Sequence, residues 1–587
     1  MRIAVLVKQV PKFEEMELTS DGRLRRDGID LEMNPYCRRA VSQAVAIPNA
    51  EITAFTLGPP SAEDVLREAI AWGDMHDVAI DGVLITDPAF AGSDTLATAK
   101  ALEAALRNEG PFDLILTGRN SVDADTGQVG PEVAELLDLP FLTGVRYFAL
   151  DGTTVSARCE HDDGWLQAEV DLPAIVSCAE RLIDPAKVDP EGRAAVDPTR
   201  IRKLTAADLG EGPWGEAASP TSVGPVKVMA VSRARIRTPD APVVDQVATA
   251  VRLLRERGAL SRSDDSSNDS VADSRTYSSC TMVLAEPGRR GVTRELLGAG
   301  ARLTGNVLVL TFEPPDARSL VSWGADEIVE FEGENIEDDV ARAVIEFADE
   351  IGAWITLAPS TAWGREVASR LAAHLGAGLT GDAVELECDD FPSLTAWKPA
   401  FGGQLVAAIG YRWPHQIATV RPGVLPTLTP RTLPDDFEWH WERRSITPRN
   451  RVRVLARTRV DDLDILADAH TVIGVGMGVP PDEYEMLEPL RSLLDAELGA
   501  TRKVTDNGWL PRSRQIGITG RAISPHLFVS IGASGKFNHS VGVRAAKTVL
   551  AINPDVDAPI FEHSDIGIVA DWRDALPLLV NQLASAV

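Results

Sequence analysis

The sequence predicts an α/β protein made of two similar parallel-sheet domains followed by a third, Rossmann-like one. Three observations carry that prediction. Short apolar runs alternate with amphipathic segments from the first residues onward, the same order returns after Cys280, and three apolar runs near the end of the chain finish in a glycine-rich turn or on a polar residue.

In the first copy Ile3–Val7 reads as a strand, Cys37–Ala46 as a helix and Ile52–Leu57 as a strand. Ser61 is placed to cap a helix running to Trp72, with Asp64 in the capping-box position. Val78–Ile85 reads as a strand, Ser93 opens a helix to Arg107, and Asp113–Thr117 is a buried strand. The second copy runs Thr281–Ala285, a helix from Val292, Val307–Thr311, a helix near Asp316, Ile328–Phe331, a helix from Asp338 and Trp354–Ala358. Local echoes support the repeat: Trp72-Gly73 and Trp323-Gly324, Glu132-Val-Ala134 and Glu366-Val-Ala368, Leu142-Thr-Gly144 and Leu379-Thr-Gly381. The Ser/Asp-rich run Ser261–Ser270 between the copies is too polar to bury anything and reads as a linker.

In the last domain a strand, Leu527–Ile531, enters the turn Gly532-Ala-Ser-Gly535 and then a helix through Lys547. Glycines there let the backbone approach a ligand and offer N–H groups to a phosphate. Thr548–Ile552 ends at Asn553 and Ile566–Ala570 at Asp571, and ligands of open parallel sheets sit at such carboxyl ends. No GxGxxG or GxxxxGK[ST] is present, so spacing alone leaves a nucleotide pocket and plain tight packing both open.

At 587 residues the chain exceeds one core and suggests three or four domains. A hydrophobic content of 44% with 25% charged residues fits a globular protein, and no apolar run approaches the roughly 20 residues that cross a bilayer. The start, MRIAVLVKQV, lacks the pattern of a signal peptide, so a cytoplasmic protein, not itself a membrane protein, is expected. Five cysteines without CxxC and nine histidines without HxxxH give no expectation of a metal. The net charge of −29 argues against nucleic acid as a partner. Only ten of the 58 basic residues are lysines. An acidic, lysine-poor surface is a lever for solubility in concentrated salt, and a codon bias toward arginine would produce the same scarcity.

The motifs go further. Gln515-Ile-Gly-Ile-Thr-Gly520, Ser534-Gly-Lys-Phe-Asn-His539, Ala551-Ile-Asn553 and Asp565-Ile-Gly-Ile-Val-Ala-Asp571 resemble the flavin domain of the electron-transfer flavoprotein alpha subunit. Met33-Asn-Pro-Tyr-Cys37, Leu57-Gly-Pro59 and the loop from Gly118 to Pro131 resemble its beta subunit. Thr361-Ala-Trp-Gly-Arg365, Phe401-Gly-Gly403 and Ala418-Thr-Val-Arg-Pro-Gly423 resemble the first domain of the alpha subunit. The resemblance implies a natural fusion, beta portion first. It has two nucleotide-binding-like domains and a C-terminal Rossmann-like FAD-binding domain. The expected boundaries are 1–260 for the beta-like domain with a C-terminal arm, 261–276 linker, 277–424 alpha-like domain, 425–470 connection and 471–587 FAD-binding domain. The arm ends in an amphipathic pattern (Val244, Val247, Val251, Leu254) that pattern alone places equally on its own domain or on the flavin domain.

For FAD the resemblance implies contacts from Met477, Thr501, Arg502, Ile516, Gly517, Ile518, Thr519, Ser534, Gly535, Lys536, Phe537, Asn538, His539, Asn553, Asp571 and Trp572. Thr519 would place a hydroxyl near the flavin N5, His539 would donate to the C2 carbonyl and Arg502 would lie over the ring, stabilising charge on the reduced flavin. For a second nucleotide, AMP or a second FAD, it implies Leu6, Asn34, Pro35, Tyr36, Cys37, Leu57, Gly118, Asp123, Asp125, Thr126, Gly127, Gln128 and Val129. Asp123 and Asp125 are awkward for direct anion binding and read, from the residues alone, as braces of the loop or helix caps. Three departures stand out. Met477 replaces a usual second arginine, Ile518 a usual glutamine, and Ile183–Gly192, with Pro190 near the expected leucine, replaces the usual docking loop for acyl-CoA dehydrogenases. The first two predict weaker stabilisation of an anionic flavin.

The implied function is electron relay through FAD from a flavin-dependent dehydrogenase to a membrane-associated quinone oxidoreductase or another acceptor. This is a carrier with no catalytic side chain rather than an enzyme, unless it bifurcates. The alternatives are an electron-bifurcating NADH-oxidising flavoprotein with a second FAD, and a nucleotide-binding regulatory protein without redox activity. The high-salt reading of the composition predicts a melting temperature that climbs as KCl is raised from dilute buffer toward molar concentration; full stability in dilute buffer would leave codon bias as the explanation.

Overall fold

The computed structural model describes residues 1–585 apart from 13–29, 163, 229–232, 262–270, 272–279, 305, 353, 389–392, 401–404, 413, 435–439, 460–464, 518–519, 522 and 545. The linker 262–270, the Phe401-Gly-Gly403 motif and the sites Ile518 and Thr519 therefore lie outside the described residues. The chain forms two compact units. The first comprises Met1–Lys227, Ser270–Arg421 and Thr429–Arg459, the second Val228–Asp269, Pro422–Leu428 and Val460–Val587.

In the first unit six strands of the first copy, β1 (Arg2–Leu6), β2 (Glu51–Leu57), β3 (Ile80–Ile85), β4 (Leu114–Gly118), β5 (Phe141–Asp151) and β6 (Ala174–Cys178), lie in the order β3-β2-β1-β4-β6-β5. The second copy supplies β7 (Cys280–Ala285), β8 (Asn306–Thr311), β9 (Glu327–Glu332), β10 (Ile355–Pro359), β11 (Gly378–Ala383) and β12 (Gln416–Val420) in the order β9-β8-β7-β10-β12-β11. The two orders are the same, all neighbours among them are parallel, and each sheet gains a parallel edge strand at the equivalent place, Ile201–Leu204 beside β3 and His440–Ser445 beside β9. The central strands are apolar throughout because helices cover both faces of a parallel sheet.

The segment expected as a connection carries structure. Val452–Arg459 adds antiparallel to Gly164–Asp171, the last strand of a hairpin that extends β5. Its charge pattern explains its hold: Arg453 pairs with Asp171 at 2.6 Å and Arg457 with Glu337 at 3.0 Å. Just ahead of it, Arg449 and Arg451 reach Asp138. Arg451 also makes a forked pair with Asp338 (2.6 and 2.9 Å), which the buried Arg370 approaches at 3.4 Å.

In the second unit β13 (Thr471–Val475), β14 (Ala496–Ala500), β15 (Leu527–Ile531), β16 (Thr548–Asn553) and β17 (Ile566–Val569) form an all-parallel sheet in the order β14-β13-β15-β16-β17. This is the doubly wound 2-1-3-4-5 order, whose ligands sit where β13 and β15 part. The short strand Ile236–Arg237 adds to β17, and the helix Val243–Glu256 buries Val247, Ala250, Val251 and Leu254 in one apolar cluster with Ile566, Ile568, Trp572 and Leu579. Asp565, almost fully buried, fixes this arm by pairing with Arg233 at 2.8 Å and Arg257 at 3.1 Å.

Local expectations are corrected at three places. Ser61 sits inside the 3-10 turn Pro60–Ala62 and caps nothing: the helix begins one residue later, at Glu63 behind Ala62, the Ser61 hydroxyl donates to Gln9 Oε1 at 3.5 Å, and Asp64 pairs with Arg193 at 2.7 Å. Asp94, not Ser93, caps the helix Thr95–Glu109, its carboxylate accepting from the Ala97 N–H. The helix expected through Lys547 stops at Ser540 and passes into the 3-10 turn Val541–Val543. Gly542 is drawn in there: a Cβ would lie 2.4 Å from the Gly517 nitrogen, and its carbonyl accepts from the Ile523 N–H at 2.8 Å. No helix among the described residues is long and apolar enough to cross a membrane.

The burial of Asp338 makes it the sharpest test of the arginine strap. Asp338→Asn should cost about 3–5 kcal/mol of unfolding free energy in chemical denaturation, because Arg451 loses its forked partner and the buried Arg370 one of its three carboxylates; a loss under about 1 kcal/mol would show the pair to be dispensable. Despite its burial, Arg451 and Arg370 hold the Asp338 carboxyl below its ordinary value, so this contribution is present at neutral pH and is lost as pH falls below the unfolded carboxylate value toward the lower folded one.

Candidate functional site

The sheet of the second unit opens at the carboxyl ends of β13 and β15, and the two loops leaving them touch through backbone. A Cβ on Gly476 would lie 2.2 Å from the Gly532 carbonyl oxygen, and the Gly478 N–H donates to that same oxygen at 3.0 Å. Gly535 has φ +74° and a Cβ there would fall 2.2 Å from the Ile560 backbone. Only glycine permits this approach, which brings main-chain groups to the rim of the crevice.

His539 lies in the turn that follows. Its ring is buried; Nδ1 donates to the Ile516 carbonyl at 3.2 Å, and Nε2 is buried with no hydrogen-bond partner. Burial pushes the imidazole toward its neutral form. With Nδ1 carrying the proton, a neutral ring offers Nε2 as an acceptor, and it becomes a donor only as the imidazolium. Ile516 itself is a core residue filling the space over Gly499, so its carbonyl, not its side chain, belongs to the site. Gly517 holds φ +133° beside it.

Across the crevice Thr501 is the N-cap of the short helix Arg502–Asp506, and its N–H donates to the Val475 carbonyl. The half-exposed Arg502 meets Asp506 at 3.3 Å. Met477 is exposed, with Asn507 Nδ2 at 3.6 Å from its sulfur. Ser534, Gly535 and Lys536 form the loop, and Phe537, Asn538 and His539 lie in the helical turn Phe537–Ser540. Asn553 is turned inward, donating to the Ala533 carbonyl at 3.0 Å. Asp571 caps the helix Trp572–Ala584, and Trp572 packs in the core with Nε1 donating to the Gly478 carbonyl at 3.1 Å. The set thus lies on the segments after β13, β14, β15, β16 and β17, with Asn553, Asp571 and Trp572 buttressing the loops.

The N-terminal set converges at the equivalent parting of β1 and β4. Leu6, Leu57 and Gly118 end the adjacent strands β1, β2 and β4. Gly118 abuts the start of the helix Pro35–Val45, where a Cβ would lie 2.8 Å from Tyr36 Cβ and 2.9 Å from the Cys37 nitrogen. Asn34 ties that helix start to the loop: Nδ2 donates to the Asn120 carbonyl at 2.7 Å and Oδ1 accepts from the Val122 N–H at 3.2 Å. Asp123 accepts from Lys8 Nζ at 2.8 Å and from the Ala124 N–H, and Asp125 accepts from Asn120 Nδ2 at 2.6 Å, so both carboxylates brace the loop from within. Thr126 and Gly127 lead to Gln128, the N-cap of the helix Val129–Leu137, whose amide Nε2 is buried without a hydrogen-bond partner.

The charges around this loop come from both copies. Burial pushes the Asp125 carboxyl up, and Arg365, Lys398 and the Asp382 carboxylate act on it from the second copy. Burial drives the Lys398 ammonium down, against the pull of Asp382 and Asp125. Although buried, Asp382 is held at about 2 by Arg421. Lys8, Arg365, Lys398 and Arg421 were absent from the sequence-derived set. Lys8 carried a signal, standing two residues past the end of β1, whereas the other three reach the loop only through the fold. The corresponding crevice of the second copy holds side chains instead: Thr361 donates to Glu286 at 2.8 Å, the Ala362 N–H donates to the Asp162 carboxylate, and Arg459 donates to the Pro287 carbonyl at 2.9 Å.

Comparison with known proteins bears on both sites. The electron transfer flavoprotein domain model matches residues 21–208 and 281–435, and the electron transfer flavoprotein FAD-binding domain model matches residues 465–544. The chain is 32% identical over 315 residues to the electron transfer flavoprotein subunit alpha of Clostridium acetobutylicum, covering 50% of this chain and 93% of that one. It is 33% identical over 262 residues to subunit beta of the same organism, covering 44% and 98%. The caffeyl-CoA reductase-Etf complex subunit CarD of Acetobacterium woodii is 34% identical over 230 residues, covering 38% and 86%. With both subunits matched by one polypeptide, a parallel-sheet repeat in front and the FAD-binding domain behind, the chain belongs to the electron transfer flavoprotein family as a beta and alpha fusion, beta portion first.

Proposed function

We propose that this protein relays electrons through one FAD held non-covalently at the crevice between β13 and β15, taking them from a flavin-dependent dehydrogenase and passing them to a membrane-associated quinone oxidoreductase or a similar acceptor, in the cytoplasm. FAD would supply the redox chemistry, and the chain binds, orients and shields it. The observation that carries the reading is His539: a buried ring nitrogen with no partner beside a glycine-lined rim fits a polar ligand. Arg502, Thr501 and the loop Ser534–His539 would hold it, with Asn553 and Asp571 at the adenosine end. Thr519 and Ile518 are assigned from the resemblance alone. Because Nδ1 is committed to Ile516, donation from Nε2 to a flavin carbonyl requires a protonated ring, which burial opposes and a negative charge nearby favours.

The loop Gly118–Val129 would hold a second nucleotide, AMP in the simple relay. A bifurcating protein with FAD there is favoured by one observation, the cations Arg365, Lys398 and Arg421 that reach the loop from the second copy and suit a larger anionic ligand.

An absorbance spectrum of the purified protein and a count of nucleotides released by heat separate the cases. One FAD with AMP supports the relay, two FAD support bifurcation, and a colourless protein that refuses added FAD contradicts both. His539→Phe should weaken FAD binding by about tenfold to a hundredfold, corresponding to a lost hydrogen bond of about 1.5–3 kcal/mol, as read by quenching of flavin fluorescence; unchanged affinity would remove His539 from the site.

A further inference from the structure

Thr95, Gln128 and Glu132 form a hydrogen-bonded row at the base of the N-terminal loop. The Thr95 hydroxyl lies 3.1 Å from Gln128 Oε1 and 2.9 Å from Glu132 Oε1. It has a single hydrogen, and an amide oxygen only accepts. With the amide oxygen facing Thr95, that hydrogen goes to Gln128, and the contact with Glu132 becomes a hydrogen bond only when the carboxyl itself donates.

We propose that Glu132 is a protonated acid whose proton sets which end of the Gln128 amide faces the nucleotide loop. With the proton in place the row runs from Glu132 through Thr95 to Gln128 Oε1, and the amide NH2 is turned to the loop as a donor for an anionic nucleotide. With the proton released to solvent the row reverses: Gln128 Nε2 donates to Thr95, Thr95 donates to the carboxylate, and the amide turns its oxygen to the loop, where it repels an anion. Glu132 is thus a positioning residue that acts through Gln128. The inference rests on the reading of this loop as a nucleotide site.

Three observations support it. Glu132 is fully buried on the helix Val129–Leu137, and its Oε2 has no hydrogen-bond partner, which a neutral carbonyl oxygen tolerates far better than a carboxylate does. Burial pushes its carboxyl up to about 8; the charge that acts on it is Asp94, at the start of the neighbouring helix Thr95–Glu109, which is negative and favours the proton further, and no cation acts on it among the described residues. The amide end lies where the loop meets the second copy, since a Cβ on Gly381 would lie 2.8 Å from Gln128 Nε2 and 3.7 Å from Thr126 Cα, so which of its atoms is presented there matters. Glu366, the counterpart in the repeat, is also buried but lies 3.4 Å from Arg370 Nε, so its environment is different.

The test uses the full chain as purified. Nucleotides retained after desalting at about pH 7 and about pH 10 are counted for the wild type and for Glu132→Gln, with the FAD of the second unit as the internal standard. The wild type should keep its N-terminal nucleotide at the lower pH and lose it at the higher, its affinity falling about tenfold per pH unit above the carboxyl's value. Glu132→Gln, a neutral donor of similar shape, should keep it at both. Infrared spectra at neutral pH should show a protonated carboxyl band in the wild type that Glu132→Gln diminishes. Retention by the wild type at both pH values, parallel loss in Glu132→Gln, or an unchanged carboxyl band would overturn the role of Glu132 while leaving the site in place. Absence of any nucleotide beyond the FAD at either pH would instead remove the site itself, and the inference with it.

Discussion

Strand order is the constraint on which everything else hangs. In each of the three parallel sheets the chain starts in the middle, winds outward on one side, then returns to the other side of its first strand. The connections after those two adjacent strands leave in opposite directions, so their carboxyl ends cannot be covered by the same crossover. A crevice is left by topology before any side chain is chosen. Sequence then decides its fate. In the first copy Gly118, Asn34 and the braced loop after β4 line it, in the second copy Glu286, Asp162 and Arg459 occupy it, and in the last sheet Gly476, Gly532 and Gly535 bring backbone to its rim.

The strap ties elements of the two copies together. Five arginines between Arg449 and Arg459 find carboxylates or carbonyls in the first unit, on elements drawn from both copies. Arginine suits this work because its planar fork makes two bonds to one carboxylate, as Arg451 does with Asp338. The excess of arginine over lysine is therefore partly structural, independent of any surface adaptation.

Much of the fold was legible because buried parallel strands are apolar along their whole length and are bounded by turn residues. Every strand named from Ile3 to Ala358 recurs within a few residues of its place, and the echoes Leu142-Thr-Gly144 and Leu379-Thr-Gly381 fall on β5 and β11, equivalent positions in the two sheets. Caps and short helices were harder to read. Ser61 met the capping rule and failed it because a 3-10 turn shifts the helix start past it and its hydroxyl reaches Gln9, 52 residues away. The end of the helix at Ser540 was hidden because it coincides with the contact between Gly542 and Gly517, residues distant in sequence. The site was legible where strand ends and glycines define it. Lys398 and Arg421 were not, because charges that meet across two copies leave no local pattern, and the role of Glu132 was not, because its partner Thr95 stands on a different helix, 37 residues away.

If the crevice between β13 and β15 is the flavin site and His539 faces the flavin there, a crystal structure of the protein grown with FAD will show it. The isoalloxazine is expected between the loops after β13 and β15, with His539 Nε2 in hydrogen-bond contact with it and Nδ1 still on the Ile516 carbonyl. Flavin bound away from this crevice, or lying in it with Nε2 still unpartnered, would contradict that assignment.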